Sequence, residues 1–168
     1  EVLTVPLRVE EDFTLDAQRV LEACTPAVKL VFLCSPNNPT GNLLSEAAVL
    51  SIARKLEGRA LVVVDEAYVE FAPGKSLTPH VQSLPQLVIL RTLSKAHGLA
   101  GARCGTLIAN PEIVALLRKV IPPYAITQLT VEAAMSLLEA PQLAVMRAAI
   151  EEGRTERERM VRAFRALP

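Results

Sequence analysis

Hydrophobic and polar positions along this chain follow two periods. Predominantly apolar runs occur at residues 28–34, 60–64, 87–90 and 104–109. Each has the length of a strand buried on both faces. Stretches with helical spacing lie between and after them, at residues 15–23, 45–56, 111–120 and 127–139. In the second of these, Val49, Ile52, Ala53 and Leu56 share one side, Ser45 is placed to cap the start, and Gly58 to end it. Residues 12–14 read as the start of the first helix. Residues 2–9 alternate well enough to predict a further strand, at a sheet edge because Pro6 lacks a donor. Residues 35–41, Ser-Pro-Asn-Asn-Pro-Thr-Gly, are a dense turn signal, and Pro73-Gly74 marks a second loop. From Pro141 a long pattern runs through Leu143, Met146, Ile150, Met160, Val161, Phe164 and Leu167 among dense charges. No internal repeat, low-complexity tract or linker interrupts it. Buried strands alternating with helices predict an α/β chain, its sheet mostly parallel and covered on both faces.

Composition narrows the picture. A chain of 168 residues can bury one substantial core. Formal net charge is zero, which points to no nucleic-acid or membrane-surface partner. A hydrophobic content of 51% and a mean hydropathy of +0.31 are high for a stand-alone soluble domain. They predict apolar surface meant for another domain or subunit. Cys24, Cys34 and Cys104 form no C-x-x-C pair and read as reduced thiols of a cytoplasmic protein. No apolar run approaches membrane-spanning length, and no signal-peptide pattern opens the chain.

Three of the apolar runs end in polar clusters: Asn37-Asn38, then residues 65–68 (Asp-Glu-Ala-Tyr), then residues 92–95 (Thr-Leu-Ser-Lys). Ligands of parallel sheets bind at the carboxyl ends of the strands, so the three clusters are expected to converge. Lys95 is the only amine among residues 91–103. Thr92, Ser94 and Arg103 are donors suited to a phosphate, Arg103 bidentately. An amine among phosphate donors points to a Schiff-base lysine beside a phosphorylated aldehyde cofactor. The same residues also read as a polar turn with a solvated lysine. Asp65 follows four apolar residues, where a carboxylate needs a cationic partner, and a protonated pyridine nitrogen would be one. Alternatively it caps a helix or joins a structural ion pair. Tyr68 and Asn38 could both reach a phenolic oxygen on such a ring, or be an ordinary half-buried tyrosine and a turn residue.

Competing motifs fail. Residues 61–66 resemble the magnesium strand of an ATPase, and residues 74–76 (Gly-Lys-Ser) the end of a phosphate loop. The glycine such a loop needs five positions earlier is Val69. Thr92-x-x-Lys95 lacks the Lys-Thr-Gly partner of serine acylases. His80 and His97 have no metal-ligand spacing, and no metal is expected.

Residues 35–41, residues 65–71 (Asp-Glu-Ala-Tyr-Val-Glu-Phe) and Thr-Leu-Ser-Lys at 92–95 with Arg103 together resemble the fold-type I pyridoxal-phosphate aminotransferases. Within them the chain is most similar to the histidinol-phosphate aminotransferases. The resemblance implies a three-layer α/β/α large domain over residues 1–140, incomplete at both ends. Residues 141–168 would then be a helix leading toward a small domain. It implies that Lys95 holds pyridoxal 5'-phosphate as a Schiff base and then shuttles a proton. Asp65 would pair with the ring nitrogen, Tyr68 and Asn38 contact the phenolic oxygen, and Thr92, Ser94 and Arg103 bind the phosphate. The implied reaction is amino transfer between histidinol phosphate and 2-oxoglutarate in a homodimer. An aromatic-amino-acid aminotransferase, a threonine-phosphate decarboxylase or a non-catalytic fragment are the alternatives. Such enzymes also use a ring-stacking aromatic, a first phosphate loop, a substrate-binding arginine and a partner's tyrosine, all expected outside these residues. His97 stands where the family usually has a bulky apolar residue.

Overall fold

The computed structural model describes residues 1–167 apart from Pro73 and Lys75, so part of the second predicted loop and of the Gly-Lys-Ser tripeptide lies outside the described residues. The chain divides into two compact units. The first comprises Glu1–Thr92 and Gly105–Pro123, the second Leu93–Cys104 and the chain from Tyr124 onward.

The first unit is built on a four-stranded sheet. Its strands are β1 (Leu30–Cys34), β2 (Leu61–Asp65), β3 (Leu87–Thr92) and β4 (Gly105–Ile108), side by side in chain order. β1, β2 and β3 are parallel, and β4 runs antiparallel to β3. Two helices, α1 (Ala17–Ala23) and α2 (Glu46–Lys55), occupy the connections before β1 and between β1 and β2. Ser45 Oγ accepts from Ala48 N at the start of α2, with Glu46 in its first turn and Arg54 and Lys55 in its last. Those charges oppose the helix dipole at both ends. Gly58, at φ +67°, lets the chain reverse where a side chain would be strained. Helix α3 (Pro111–Arg118) starts from Asn110, whose side chain accepts from Glu112 N.

In-register pairs of parallel strands share a face, and successive residues alternate faces. Leu33, Val64 and Ile89 therefore line one face, with Val62 and Leu87. These residues join Val20 and Cys24 near α1 and Val49, Ile52, Ala53 and Leu56 of α2 in one buried core. Val62, Val64, Leu87 and Ile89 are fully buried. Each such side chain contributes on the order of 1.5–3 kcal/mol. The opposite face carries Val63 and Val88, both buried, while Phe32 beside Val63 is 68% exposed. At β1 this face is open, in line with the apolar surface expected from composition.

Residues 2–9 are not a strand. Among the described residues they make one isolated bridge, Arg8 to Thr14, and a 3-10 turn at Val9–Glu11. An alternating segment becomes a strand only with a neighbour to take its backbone groups, and Val2 and Leu3 are exposed here. Helix α1 begins later than residues 12–14 suggest. Asp12 and Phe13 take left-handed backbone angles, and Asp16 is the cap, accepting from Gln18 N and Arg19 N.

The second unit contains the segment 93–104 and helices α4 (Gln128–Leu137) and α5 (Ala140–Arg165). Thr127 Oγ1 accepts from Thr130 N at the start of α4. The hydroxyl of Thr130 in turn donates to Ala102 O at 3.3 Å, tying the 93–104 segment to α4. No helix among the described residues is long and apolar enough to cross a membrane.

Candidate active site

Because β1, β2 and β3 are parallel and in register, their carboxyl ends share one edge of the sheet. Cys34 pairs with Asp65 and Asp65 with Leu90. The ladder continues just beyond, with Ser35 N donating to Asp65 O at 3.0 Å and Glu66 N to Leu90 O at 2.9 Å. Alternation puts Asp65, Leu90 and Thr92 on the face opposite the α1–α2 core. Asp65 Oδ1 accepts from Ala67 N at 2.9 Å. Its second carboxylate oxygen has no protein donor among the described residues. A half-buried carboxylate with one oxygen fixed and one open suits a cationic partner.

Tyr68 stands three residues on, before a 3-10 turn at Val69–Phe71. Asn38 Nδ2 donates to Tyr68 Oη at 3.3 Å. These two side chains come from loops 30 positions apart, and the structure brings them together. The loop carrying Asn38 is held from within. Asn37 N donates to Asn42 O at 2.9 Å and Gly41 N to Asn37 O at 2.7 Å. Leu44 N donates to Ser35 Oγ at 3.1 Å, and Asn42 Nδ2 to Phe13 O at 2.8 Å. The Asn37 amide bonds Thr40, whose hydroxyl bonds Asn42. Within the loop, Asn37 serves the turn and Asn38 reaches Tyr68.

A buried polar cluster lies next to Asp65, and it escaped the reading of the sequence. Glu66 is 2% exposed, and its carboxylate accepts from Leu77 N at 2.7 Å and Ser76 Oγ at 2.6 Å. Arg91 lies 3.8 Å from it through Nη1 and bonds Glu70 through Nη2 at 2.5 Å. Period-two alternation from Val62 and Val64 puts residue 66 on the core face, and that was the available signal. β4 closes on Arg91 because Gly105 has no side chain: a Cβ there would stand 3.0 Å from Arg91 O.

In the second unit, Lys95 is exposed and three residues past the end of β3. The segment closes on itself: Leu93 N donates to Cys104 O, Leu99 N to Leu93 O, and Gly98 N to Lys95 O. Arg103 adopts φ +52°, uncommon for a side-chain-bearing residue, and its Nη1 donates to Ala100 O at 3.0 Å. Its other guanidinium donors meet no protein acceptor among the described residues. Strained backbone held by its surroundings is a common mark of ligand-binding segments. Ser94 and Arg103 belong to the same segment as Lys95, and Thr92 ends β3 immediately before it.

By residue type alone these groups suit a phosphorylated pyridine aldehyde: the first unit carries an open carboxylate, an amide–phenol pair and the Thr92 hydroxyl, and the second carries an amine, the Ser94 hydroxyl and a guanidinium. Among the described residues no group of three or more His, Cys, Asp or Glu is placed to hold a metal ion.

The family model described as aminotransferase class I and II matches residues 1–167. A histidinol-phosphate aminotransferase of Haemophilus influenzae (strain PittEE) is 43% identical over 164 residues, which are 98% of this chain and 46% of that protein. The crystal structure of histidinol-phosphate aminotransferase from Sinorhizobium meliloti in complex with pyridoxal-5'-phosphate superposes with a TM-score of 0.83. It is 29% identical and covers 96% of this chain and 44% of that one. An L-threonine-O-3-phosphate decarboxylase from Porphyromonas gingivalis is also similar, at 29% identity and a TM-score of 0.62 over 67% of this chain and 35% of that one. The chain spans about half the length of the curated relatives it matches.

Proposed function

This chain belongs to the class I and II aminotransferase family, and from that premise we propose that it forms part of a pyridoxal-phosphate enzyme moving an amino group between histidinol phosphate and 2-oxoglutarate. The observation that carries the reading is the contact of Asn38 with Tyr68 close along the chain to the open carboxylate of Asp65. Bound pyridoxal phosphate supplies an electron sink for the bonds at the substrate's α-carbon. The rest is done by the chain's own groups. Asp65 would hold a proton on the ring nitrogen, because a carboxylate stabilises an adjacent cation. Tyr68 Oη and Asn38 Nδ2 orient the ring through its phenolic oxygen. Thr92, Ser94 and Arg103 hold the phosphate. Lys95 would hold the cofactor's aldehyde carbon through its amine, and that amine, when free, would take and return the proton of the substrate's α-carbon.

Similarity to histidinol-phosphate aminotransferases over 98% of the chain supports the substrate pair. We place the enzyme in the cytoplasm as a homodimer, with residues 1–140 in the cofactor-binding large domain and the chain from residue 141 leading toward a small one. The test is borohydride reduction of the full-length protein with pyridoxal phosphate, followed by peptide mapping and an assay with histidinol phosphate. The label is expected on Lys95, with 2-oxoglutarate converted to glutamate. A label on Lys29, Lys55, Lys75 or Lys119 overturns the lysine assignment. Release of carbon dioxide from threonine phosphate without amino transfer would favour the decarboxylase reading.

A further inference from the structure

We propose that Glu66 is a positioning residue for this site, fixing through Arg91 the strand end that presents Asp65 and Tyr68; the inference rests on the reading of those two residues as cofactor contacts. Glu66 is buried, and a buried carboxylate is costly unless its lone pairs are taken. Here Oε1 accepts from Leu77 N, and Oε2 from Ser76 Oγ with Arg91 Nη1 beyond it. A neutral acceptor would serve Leu77 N and Ser76 Oγ, and it is Arg91 that the charge answers.

The geometry of Arg91 shows what the charge does. Its Nη1 lies 3.8 Å from Glu66 and its Nη2 2.5 Å from Glu70. One guanidinium therefore clamps both ends of the segment 66–70, and Tyr68 is the middle residue of that segment. Backbone bonds extend the clamp, with Val69 N donating to Glu66 O at 3.1 Å and Glu66 N to Leu90 O. Asp65 precedes the clamp in the chain, and Thr92 follows Arg91. On β3, alternation sends Arg91 to the core face and Thr92 to the opposite one. The proposed ligand face at this strand end is thus backed by an ionic anchor on the reverse side.

Glu66→Gln keeps the volume but turns a donor toward Arg91, and Arg91→Lys leaves one ammonium that cannot span both carboxylates. In the full-length enzyme saturated with pyridoxal phosphate, Glu66→Gln is expected to lower kcat roughly tenfold or more, as slight misplacement of reacting groups does. KM for the amino donor should change less than about threefold. Placed on an Asp65→Asn background, the same substitution should add less than about twofold, because it acts through Asp65. In the apoprotein, amide hydrogen exchange should quicken over residues 65–72 and stay unchanged over α2. Equal losses of kcat in both backgrounds, or unchanged exchange over residues 65–72, overturn the proposal. If the wild-type enzyme transfers no amino group, the functional reading fails, and the exchange measurement alone decides whether Glu66 holds this segment. Should Glu66→Gln not fold, Arg91→Lys takes its place in every arm.

Discussion

At the scale of single residues, the site depends on which atoms remain open after the fold has taken its share. Asp65 gives one oxygen to Ala67 N and keeps the other. Asp65→Asn retains the turn, because an amide oxygen also accepts from that N–H, but it cannot hold a ring nitrogen protonated. The full-length variant should therefore fold, bind pyridoxal phosphate and lose turnover by several factors of ten, each factor about 1.4 kcal/mol of barrier. Near-normal kcat in that variant would refute the role. Arg103 spends one donor on Ala100 O and is held at a positive φ. Its remaining donors form a planar fork suited to phosphate. Arg103→Lys replaces the fork with a point charge and should raise the dissociation constant for pyridoxal phosphate, measured by equilibrium titration of the apoenzyme. An unchanged constant would remove Arg103 from the phosphate site. These side chains were legible in the sequence because their types are rare together. Glu66 was not, because one acidic residue beside another reads as solvated until its face is known.

At the scale of elements, β1, β2 and β3 were legible because each leaves an unbroken apolar run, although β1, expected to be buried on both faces, is open on one. The segment 2–9 was not, because alternation describes a side-chain pattern and a strand also needs a neighbouring backbone. The start of α1 turned on a similar competition. The sequence points to residues 12–14 as the entry, but it is Asp16 that has two backbone N–H groups within reach. Those bonds, the one from Arg19 N foremost, together with the charge of Arg8, hold the Asp16 carboxyl below its ordinary range against an opposing effect of burial. A carboxyl lowered in the folded state adds stability that is complete above its unfolded value, near about 4, and lost as pH falls through the folded value. Asp16→Asn keeps the cap oxygen and removes the titration. Thermal melts between neutral pH and about pH 2 should show a shallower acid limb for the variant than for the wild type. Parallel acid limbs would mean that Asp16 contributes nothing to the acid sensitivity.

At the scale of the whole molecule, hydropathy and exposure tell one story. Apolar side chains are exposed in both units: Leu30 and Phe32 on the sheet, Leu116 on α3, and Leu129 and Met135 on α4. Tyr124 is 98% exposed. The composition predicted such surface, but not where it falls, since a strand buried on both faces and a strand awaiting a second layer share the same apolar run. The chain also spans about half the length of its curated relatives. The resemblance puts a ring-stacking aromatic, a first phosphate loop and a substrate arginine outside these residues. Stacking is worth about 0.5–1.5 kcal/mol beyond area burial, and charge-assisted hydrogen bonds roughly 1.5–3 kcal/mol each. Without several such contacts, cofactor affinity falls by orders of magnitude, at roughly 1.4 kcal/mol per factor of ten. The 168-residue polypeptide by itself is therefore expected to self-associate through its open apolar faces, to bind pyridoxal phosphate weakly, and not to turn over histidinol phosphate. Sedimentation and an amino-transfer assay on the isolated polypeptide check this together. A monodisperse monomer with turnover near that of a full-length relative would show that these residues hold a self-sufficient site.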